Sequence, residues 1–235
     1  MRRLLLTFLC CVVPAASAGE VHIAVASNFK QTAQAINAQF EQETGHLTKL
    51  SSASTGVLHS QILYGAPFDI FLAADSQSPE ALEAAGYVAP ENRFCYARGL
   101  LALAGAKDSL EDLQNPDFSL AIANPATAPY GRAAMEVLNR PEYTAAKKRK
   151  VVRANNVVQA YQYWYSASVD RALVALSLLP HEAVPIPQSW YTPINQQATL
   201  LTRAQSNSAA RDYMDFLQSS AVRNLISTAG YGACQ

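Results

Sequence analysis

Charge is scarce in this 235-residue chain, and neither sign dominates. Charged residues make up 15% of the sequence, with 18 lysines and arginines against 18 aspartates and glutamates. Most basic residues are scattered along the chain, and one short cluster occurs at Lys147-Lys148-Arg149-Lys150. Such a cluster is typical of a solvated helix end. Because nucleic-acid binding needs a broad basic surface, we expect no nucleic-acid partner. Half of the residues are hydrophobic, which excludes extended disorder.

Long apolar runs are also missing, apart from one short stretch near the N-terminus. Met1-Arg2-Arg3 is basic, Leu4 to Val13 is apolar, and Ala16-Ser17-Ala18 consists of small residues. This order is typical of a cleaved secretory signal peptide. The apolar stretch is too short to span a bilayer. We therefore expect residues 1–18 to be removed near Ala18, giving a periplasmic protein with no segment inserted in the membrane.

Cysteine is rare, and the histidines show no metal-ligand spacing. Cys95 and Cys234 are the two cysteines that remain after processing. An even number in an oxidising compartment favours a disulfide, but the sequence does not show whether the two are close. The pairing therefore stays open at this point. Nothing in the sequence indicates residues that ligate a metal cation directly, and no glycine-rich phosphate loop is present.

Strand-like and helix-like segments alternate along almost the whole mature chain. This alternation predicts an α/β architecture with largely parallel sheets flanked by helices. No flexible linker occurs, so the chain is expected to pass between two lobes through strands. We assign residues 19–98 plus 203–235 to the first lobe and residues 99–202 to the second. A ligand would then lie in the interlobe cleft, at carboxyl ends of strands and amino ends of helices.

Two junctions between a strand and a helix carry hydroxyl groups. Ala26-Ser27-Asn28 follows a short buried strand, and Ser54-Thr55-Gly56 precedes a second helix. The first backbone N–H groups of a helix lack intrahelical partners and lie at the positive end of its dipole. Such helix starts bind anions. Serine and asparagine are also ordinary N-caps, so one junction is weak evidence, but two favour convergence on one ligand.

Several blocks of the sequence resemble the molybdate-binding periplasmic proteins of ABC transporters. The blocks are Ala-Ser-Asn-Phe (26–29), Ala-Ser-Thr-Gly (53–56), Gly-Ala-Pro-Phe-Asp-Ile-Phe-Leu-Ala-Ala-Asp (65–75), Pro-Ala-Thr-Ala-Pro-Tyr-Gly (125–131) and Asn-Asn-Val-Val-Gln-Ala (155–160). The resemblance spans essentially the whole mature chain. It implies a two-lobed, monomeric, non-enzymatic binding protein without a cofactor, which captures molybdate and delivers it to a membrane permease.

The resemblance also implies which residues hold the oxyanion. Ser27 supplies a hydroxyl and Asn28 a backbone N–H group. Thr55 takes the position of the second hydroxyl, where many relatives have serine. From the second lobe, the implied contacts are Tyr130 and the backbone N–H group of Val157. Tyr130 lies in a loop before the strand Leu173-Val174-Ala175, where some members of the family place their tyrosine. Lys30, one turn into the first helix, is expected to point away from this site.

The residue types at these positions suit a fully deprotonated oxyanion. A tetrahedral dianion offers only acceptors, so its partners must be donors. Hydrogen phosphate also needs an acceptor, and segments 27–30, 54–57, 125–131 and 155–158 contain no aspartate or glutamate. Molybdate, tungstate and sulfate therefore remain. The choice of molybdate over sulfate comes from the resemblance alone, and the preference between molybdate and tungstate stays open.

Two alternative functions are considered. A binding protein for another anion, such as sulfate or thiosulfate, would use the same kinds of donor. A serine enzyme is the second alternative, because Ser27 and Lys30 match a Ser-x-x-Lys motif in which lysine activates a serine nucleophile. The chain lacks the Lys-Thr-Gly or Lys-Ser-Gly partner of that motif and the Gly-x-Ser-x-Gly elbow. We therefore expect no catalysis.

Overall fold

The computed structural model describes residues 18–106, 109–179 and 182–234. The predicted signal peptide lies outside the described residues, except for Ala18. Two five-stranded sheets, each flanked by helices, form two lobes. The strands are β1 (Glu20–Ala26), β2 (Leu47–Ala53), β3 (Ile70–Ala73), β4 (Arg93–Gly99), β5 (Leu101–Ala104), β6 (Leu120–Ala123), β7 (Val151–Ala154), β8 (Arg171–Ala175), β9 (Ala183–Pro185) and β10 (Ile194–Leu200).

Seven α-helices and several short 3₁₀ segments cover the sheets in the described ranges. The helices are α1 (Lys30–Thr44), α2 (Thr55–Leu63), α3 (Gln77–Ala84), α4 (Pro129–Leu138), α5 (Val157–Tyr165), α6 (Ser208–Leu217) and α7 (Ser220–Thr228). A 3₁₀ turn over Ser27–Phe29 leads directly into α1. None of the helices described has the length and apolar character that a membrane span requires.

Each sheet is mostly parallel, as predicted, and contains one strand of reversed direction, β10 in the first sheet and β5 in the second. The first has the order β2-β1-β3-β10-β4, in which β1 runs parallel to β2 and β3, and β10 runs antiparallel to β3 and β4. The second has the order β7-β6-β8-β5-β9, in which β6 is parallel to β7 and β8, and β5 is antiparallel to β8 and β9. Hydrophobic pattern predicts burial of a strand but not the direction of its neighbour.

The return of the chain to the first lobe occurs earlier than the predicted boundary at residue 203. Strand β10 (Ile194–Leu200) pairs with β3 and β4, so it belongs to the first sheet. The two lobes are therefore joined by the crossing from β4 to β5 and by the crossing from β9 to β10. The apolar pattern of β10 suits either sheet equally well, which is why the sequence did not show where it pairs.

Each lobe has its own core. In the first lobe, the apolar residues Phe29, Ala33, Ile36 and Phe40 recur at helical spacing and are all fully buried. They pack with α6 and α7 on one face of the first sheet, and α2 and α3 pack on the other face. The second lobe buries strands β5, β6 and β8 beneath α4 and α5. Burial of this apolar surface fixes the ends of the strands from which the site is built.

Cys95 and Cys234 form a disulfide, which answers the question that the sequence left open. The bond links β4 to the C-terminal segment, 139 residues further along the chain. A backbone bridge between Arg98 and Gly232 lies beside it. Together these contacts hold the C-terminal segment, which carries Tyr231, against the first lobe near its crossing to the second.

Candidate functional site

Four helical segments begin around one small cavity between the lobes. They are the 3₁₀ turn at Ser27, helix α2 at Thr55, helix α4 at Pro129 and helix α5 at Val157. The cavity is small, with about 10 Å³ open to the centre of a water-sized sphere, and is lined by Ala26, Ser27, Asn28, Ser54, Thr55, Ala74, Ala128, Pro129, Tyr130 and Val157. The structure thus brings all five residues of the predicted site together, three from the first lobe and two from the second.

The residues that form the cavity are buried. Ser27 is 8% exposed, and the other four residues of the predicted site are 1–3% exposed. No carboxylate or cationic side chain lines it. In such a dry site, hydrogen bonds from neutral donors to an ion act with little competition from water. The arrangement therefore suits an anion held by hydroxyl and N–H groups.

The hydroxyl of Thr55 is oriented by the end of strand β3. Its Oγ1 atom accepts a hydrogen bond from the backbone N–H of Ala74, at 3.1 Å. A hydroxyl has one hydrogen to donate, and this contact does not use it. The hydrogen of Thr55 is therefore free for an acceptor in the cavity, which both residues line.

A buried network of hydrogen bonds holds Asn28 in position. Its Nδ2 atom donates to Oε1 of Gln196 at 3.0 Å, and its carbonyl oxygen accepts from the Tyr231 hydroxyl at 2.8 Å. The hydroxyl of Tyr96 donates to the same Gln196 oxygen at 2.9 Å. Burial raises the pKa of Tyr231 to about 12, so its hydroxyl keeps its proton. With the side chain and carbonyl so engaged, the group that Asn28 offers at the helix start is its N–H.

The side chain of Tyr130 extends away from its own helix start toward the crossing between the lobes. Its hydroxyl accepts a hydrogen bond from Nε2 of Gln196, at 3.4 Å, and lies beside Gly99. Burial raises the pKa of Tyr130 well above its usual value, so the hydroxyl stays neutral. The backbone N–H of Tyr130 lies in the first turn of α4, after Pro129, which has no N–H. This placement favours the N–H, rather than the hydroxyl, as the donor of Tyr130.

The start of α5 is capped so that Val157 is the first residue of the helix. The Asn156 side chain accepts a hydrogen bond from the backbone N–H of Gln159, at 3.0 Å. Val157 itself is 2% exposed and lines the cavity. Its N–H belongs to the first turn, where N–H groups have no partner within the helix. Val157 therefore offers an N–H group from the second lobe.

Ser54 belongs to the second junction noted in the sequence, but it was not assigned to the site. It occupies the N-cap position of α2, is 4% exposed and lines the cavity. Its buried Oγ atom has no hydrogen-bond partner among the described residues. Ser54 and Thr55 are adjacent hydroxyl residues at one helix start, and no pattern in the sequence shows that both reach the cavity.

Besides the Gln196–Tyr130 hydrogen bond, two further polar contacts join the lobes beside the cavity. The backbone N–H of Gly56 donates to the carbonyl oxygen of Thr127, at 2.9 Å. Arg132 on α4 pairs with Asp75, which follows β3, with 2.5 Å between Nη2 and Oδ2. Both contacts connect helix starts of opposite lobes, so the structure shows a closed arrangement. Domain closure around a ligand by hinge motion is common in two-lobed binding folds.

We expect Arg132→Gln to weaken ligand binding about 3- to 10-fold, because the closed arrangement loses a partly exposed ion pair. Asp75→Asn should cause a loss of similar size. The double variant should be weaker than wild type by less than the product of the two losses, since each single change leaves the other partner unpaired. Isothermal titration of the four proteins measures this coupling. Strictly multiplicative losses would show that the pair does not act in closure.

Three comparisons with known proteins agree with one another. The family model for bacterial extracellular solute-binding proteins matches residues 21–232. The molybdate-binding protein ModA of Azotobacter vinelandii is 40% identical over 231 residues, covering 93% of this chain and 92% of that protein. ModA of Rhodobacter capsulatus is 35% identical over 225 residues, covering 92% of this chain and 89% of that protein. The structure of the Azotobacter vinelandii periplasmic molybdate-binding protein superposes with a TM-score of 0.83 and 34% identity, covering 92% of this chain and all of that one.

Proposed function

This chain belongs to the bacterial extracellular solute-binding proteins, and we propose that it captures molybdate in the cavity between its lobes. It is a binding protein and not an enzyme. The observation that carries the proposal is the convergence of four helix starts on a closed cavity lined by hydroxyl and N–H donors, without a carboxylate. A fully deprotonated tetrahedral oxyanion is the ligand that needs only such donors.

We assign roles to the five residues of the predicted site. Ser27 and Thr55 donate through their hydroxyl groups, one from each of two helix starts in the first lobe. Asn28, Tyr130 and Val157 donate through backbone N–H groups. The positive ends of the helix dipoles add diffuse favourable potential, so no arginine or lysine is required inside the cavity.

The expected affinity follows from the number of donors. A hydrogen bond to a charged group contributes roughly 1.5–3 kcal/mol, so five of them amount to about 8–15 kcal/mol before costs. Loss of ligand freedom and closure of the lobes subtract several kcal/mol. Since a micromolar dissociation constant corresponds to about 8 kcal/mol, binding in the micromolar range or tighter is consistent with this donor set.

We further propose the cellular setting of this binding. The chain is exported by its N-terminal signal peptide, acts as a monomer in the periplasm and presents the closed, loaded form to the permease of an ABC transporter. Tungstate has the same charge and tetrahedral shape as molybdate, and we include it as a ligand. The membership of the chain in an extracellular solute-binding family supports the periplasmic setting.

The direct test is a thermal-unfolding titration with molybdate, tungstate, sulfate and phosphate. A ligand present at 1,000 times its dissociation constant stabilises the folded state by about 4 kcal/mol. For a protein of this size, that corresponds to an increase in Tm of roughly 8–16 °C. We expect this increase with molybdate and tungstate, and none with phosphate. A large increase with sulfate and none with molybdate would overturn the proposal in favour of a different oxyanion.

A further inference from the structure

A second cavity adjoins the first, and we name it the outer pocket. It has a volume of about 250 Å³ and is lined by Ser27, Lys30, Ser52, Asn155, Asn156, Val158, Gln159 and Gln162. The first three residues belong to the first lobe and the other five to the second. Ser27 lines both cavities, so the outer pocket adjoins the closed site.

The lining of the outer pocket is polar and carries one positive charge. Lys30 is its only charged residue, and no carboxylate belongs to it. Lys30 lies one turn into the first helix and was expected to point away from the inner cavity. In the structure, Lys30 is exposed at the mouth of the cleft and lines this pocket instead.

Two amide side chains of the outer pocket have a fixed orientation. Oδ1 of Asn156 accepts from the backbone N–H of Gln159 at 3.0 Å, and Oε1 of Gln159 accepts from the backbone N–H of Asn155 at 2.7 Å. Both side-chain carbonyls are therefore engaged in capping α5. The ends that remain are NH₂ groups, which only donate. The pocket thus combines an ammonium group, two oriented NH₂ groups and the hydroxyl of Ser52.

We propose that the outer pocket is a second, weaker anion site, which attracts a tetrahedral dianion to the entrance of the cleft and can hold it beside the closed inner cavity. The proposal rests on the proposed function of the inner cavity. The mature chain has 16 basic and 18 acidic side chains, so its net charge does not attract a dianion. At physiological salt, charges act over about 8 Å, and attraction at the mouth must therefore come from groups located there. Lys30 and the two NH₂ groups meet this requirement.

The kinetic test compares Lys30→Gln with Lys148→Gln, which removes the same charge from the exposed end of the 3₁₀ segment Pro141–Lys148. We expect Lys30→Gln to lower the association rate constant of molybdate about 3- to 10-fold at low ionic strength, and less at high salt, because steering by charge is screened. Lys148→Gln should leave the rate constant within a factor of about two at these salt concentrations. Stopped-flow binding measurements provide both values.

Gln159→Glu is the second variant, because it keeps the acceptor that caps Asn155 and replaces the NH₂ group with a charged oxygen. We expect it to slow association more than Lys30→Gln does. Its thermal stability without ligand should equal that of wild type, which separates this effect from loss of folding. Unchanged association rates in both Lys30→Gln and Gln159→Glu would overturn the outer site and leave the proposed function intact.

Occupancy can be measured directly by NMR on molybdate-saturated protein. Sulfate, added at millimolar concentration, should shift the side-chain NH₂ signals of Asn156 and Gln159 in a saturable way. Lys30→Gln should remove this saturable shift, and Lys148→Gln should not. Signals that do not move, or that move equally in both variants, would refute the site. If wild-type protein does not bind molybdate at all, the proposed function fails first, and the two failures are therefore distinguishable.

Discussion

The double variant Ser27→Ala with Thr55→Val is expected to bind molybdate about 10²- to 10⁴-fold more weakly than wild type. Each substitution removes one hydroxyl donor, and each lost hydrogen bond to the anion costs roughly 1.5–3 kcal/mol. Valine has nearly the shape of threonine, so the walls of the cavity stay in place. It also leaves the buried N–H of Ala74 without the acceptor that Thr55 provides. Isothermal titration of purified, ligand-free protein measures the loss.

His59→Ala serves as the control for this experiment. His59 lies on α2, the helix that begins at Thr55, but it does not line the cavity. We expect the affinity of this variant to equal that of wild type. The single variant Ser27→Ala removes only one hydroxyl group. The Tm of that single variant without ligand should therefore stay close to that of wild type. A double variant that binds within threefold of wild type would show that the two hydroxyls do not hold the anion.

The strand-to-helix junctions can be predicted from the sequence because their signal is local. Ser27 follows a buried β1 and precedes a helix with apolar residues at helical spacing, and the structure places it at such a junction. Resemblance then selected two residues at the first helix start and one at each of the other three, and all five line one cavity. These five residues come together because the ends of the strands converge, and an alternating α/β pattern already indicates this convergence.

Long-range contacts are the part that the sequence does not show. Gln196 lies in the middle of β10, is fully buried, and bonds to Asn28, Tyr96 and Tyr130. Nothing near Gln196 in the sequence marks it as a contact of both lobes. Its location depends on the pairing of β10 with the first sheet. The predicted boundary at residue 203 had placed β10 in the second lobe. The direction of the Tyr130 side chain could not be predicted for the same reason, because its hydroxyl bonds to Gln196, which is distant in the sequence.

Gly56 is the position at which closure of the lobes depends most directly on the absence of a side chain. Its N–H donates to the carbonyl oxygen of Thr127 in the opposite lobe. A Cβ atom on Gly56 would lie 3.0 Å from that oxygen and 3.1 Å from the Cα of Thr127. Both atoms belong to the backbone, so rotation of a side chain cannot relieve the contact. A larger residue would therefore hold the two lobes apart beside the cavity.

We expect Gly56→Ala to weaken molybdate binding roughly 10- to 100-fold, because only the closed arrangement brings donors from both lobes to the anion and its population falls. The unfolding free energy without ligand should stay equal or rise slightly, since alanine is favoured over glycine in a helix by about 1 kcal/mol. This combination separates a defect in closure from a defect in folding. Isothermal titration and thermal unfolding of the same sample measure the two quantities.

Gly232→Ala is the matched control, because a Cβ atom there would meet its nearest neighbours at 3.4 Å, an ordinary contact. It lies on the C-terminal segment of the first lobe, outside the lining of the cavity. Its affinity should equal that of wild type. If Gly56→Ala also binds as tightly as wild type, the bound state leaves more space between Gly56 and Thr127 than this structure does. The interlobe hydrogen bond would then not belong to the loaded form, and closure would have to be attributed to the Asp75–Arg132 pair, the Gln196–Tyr130 hydrogen bond and the anion itself.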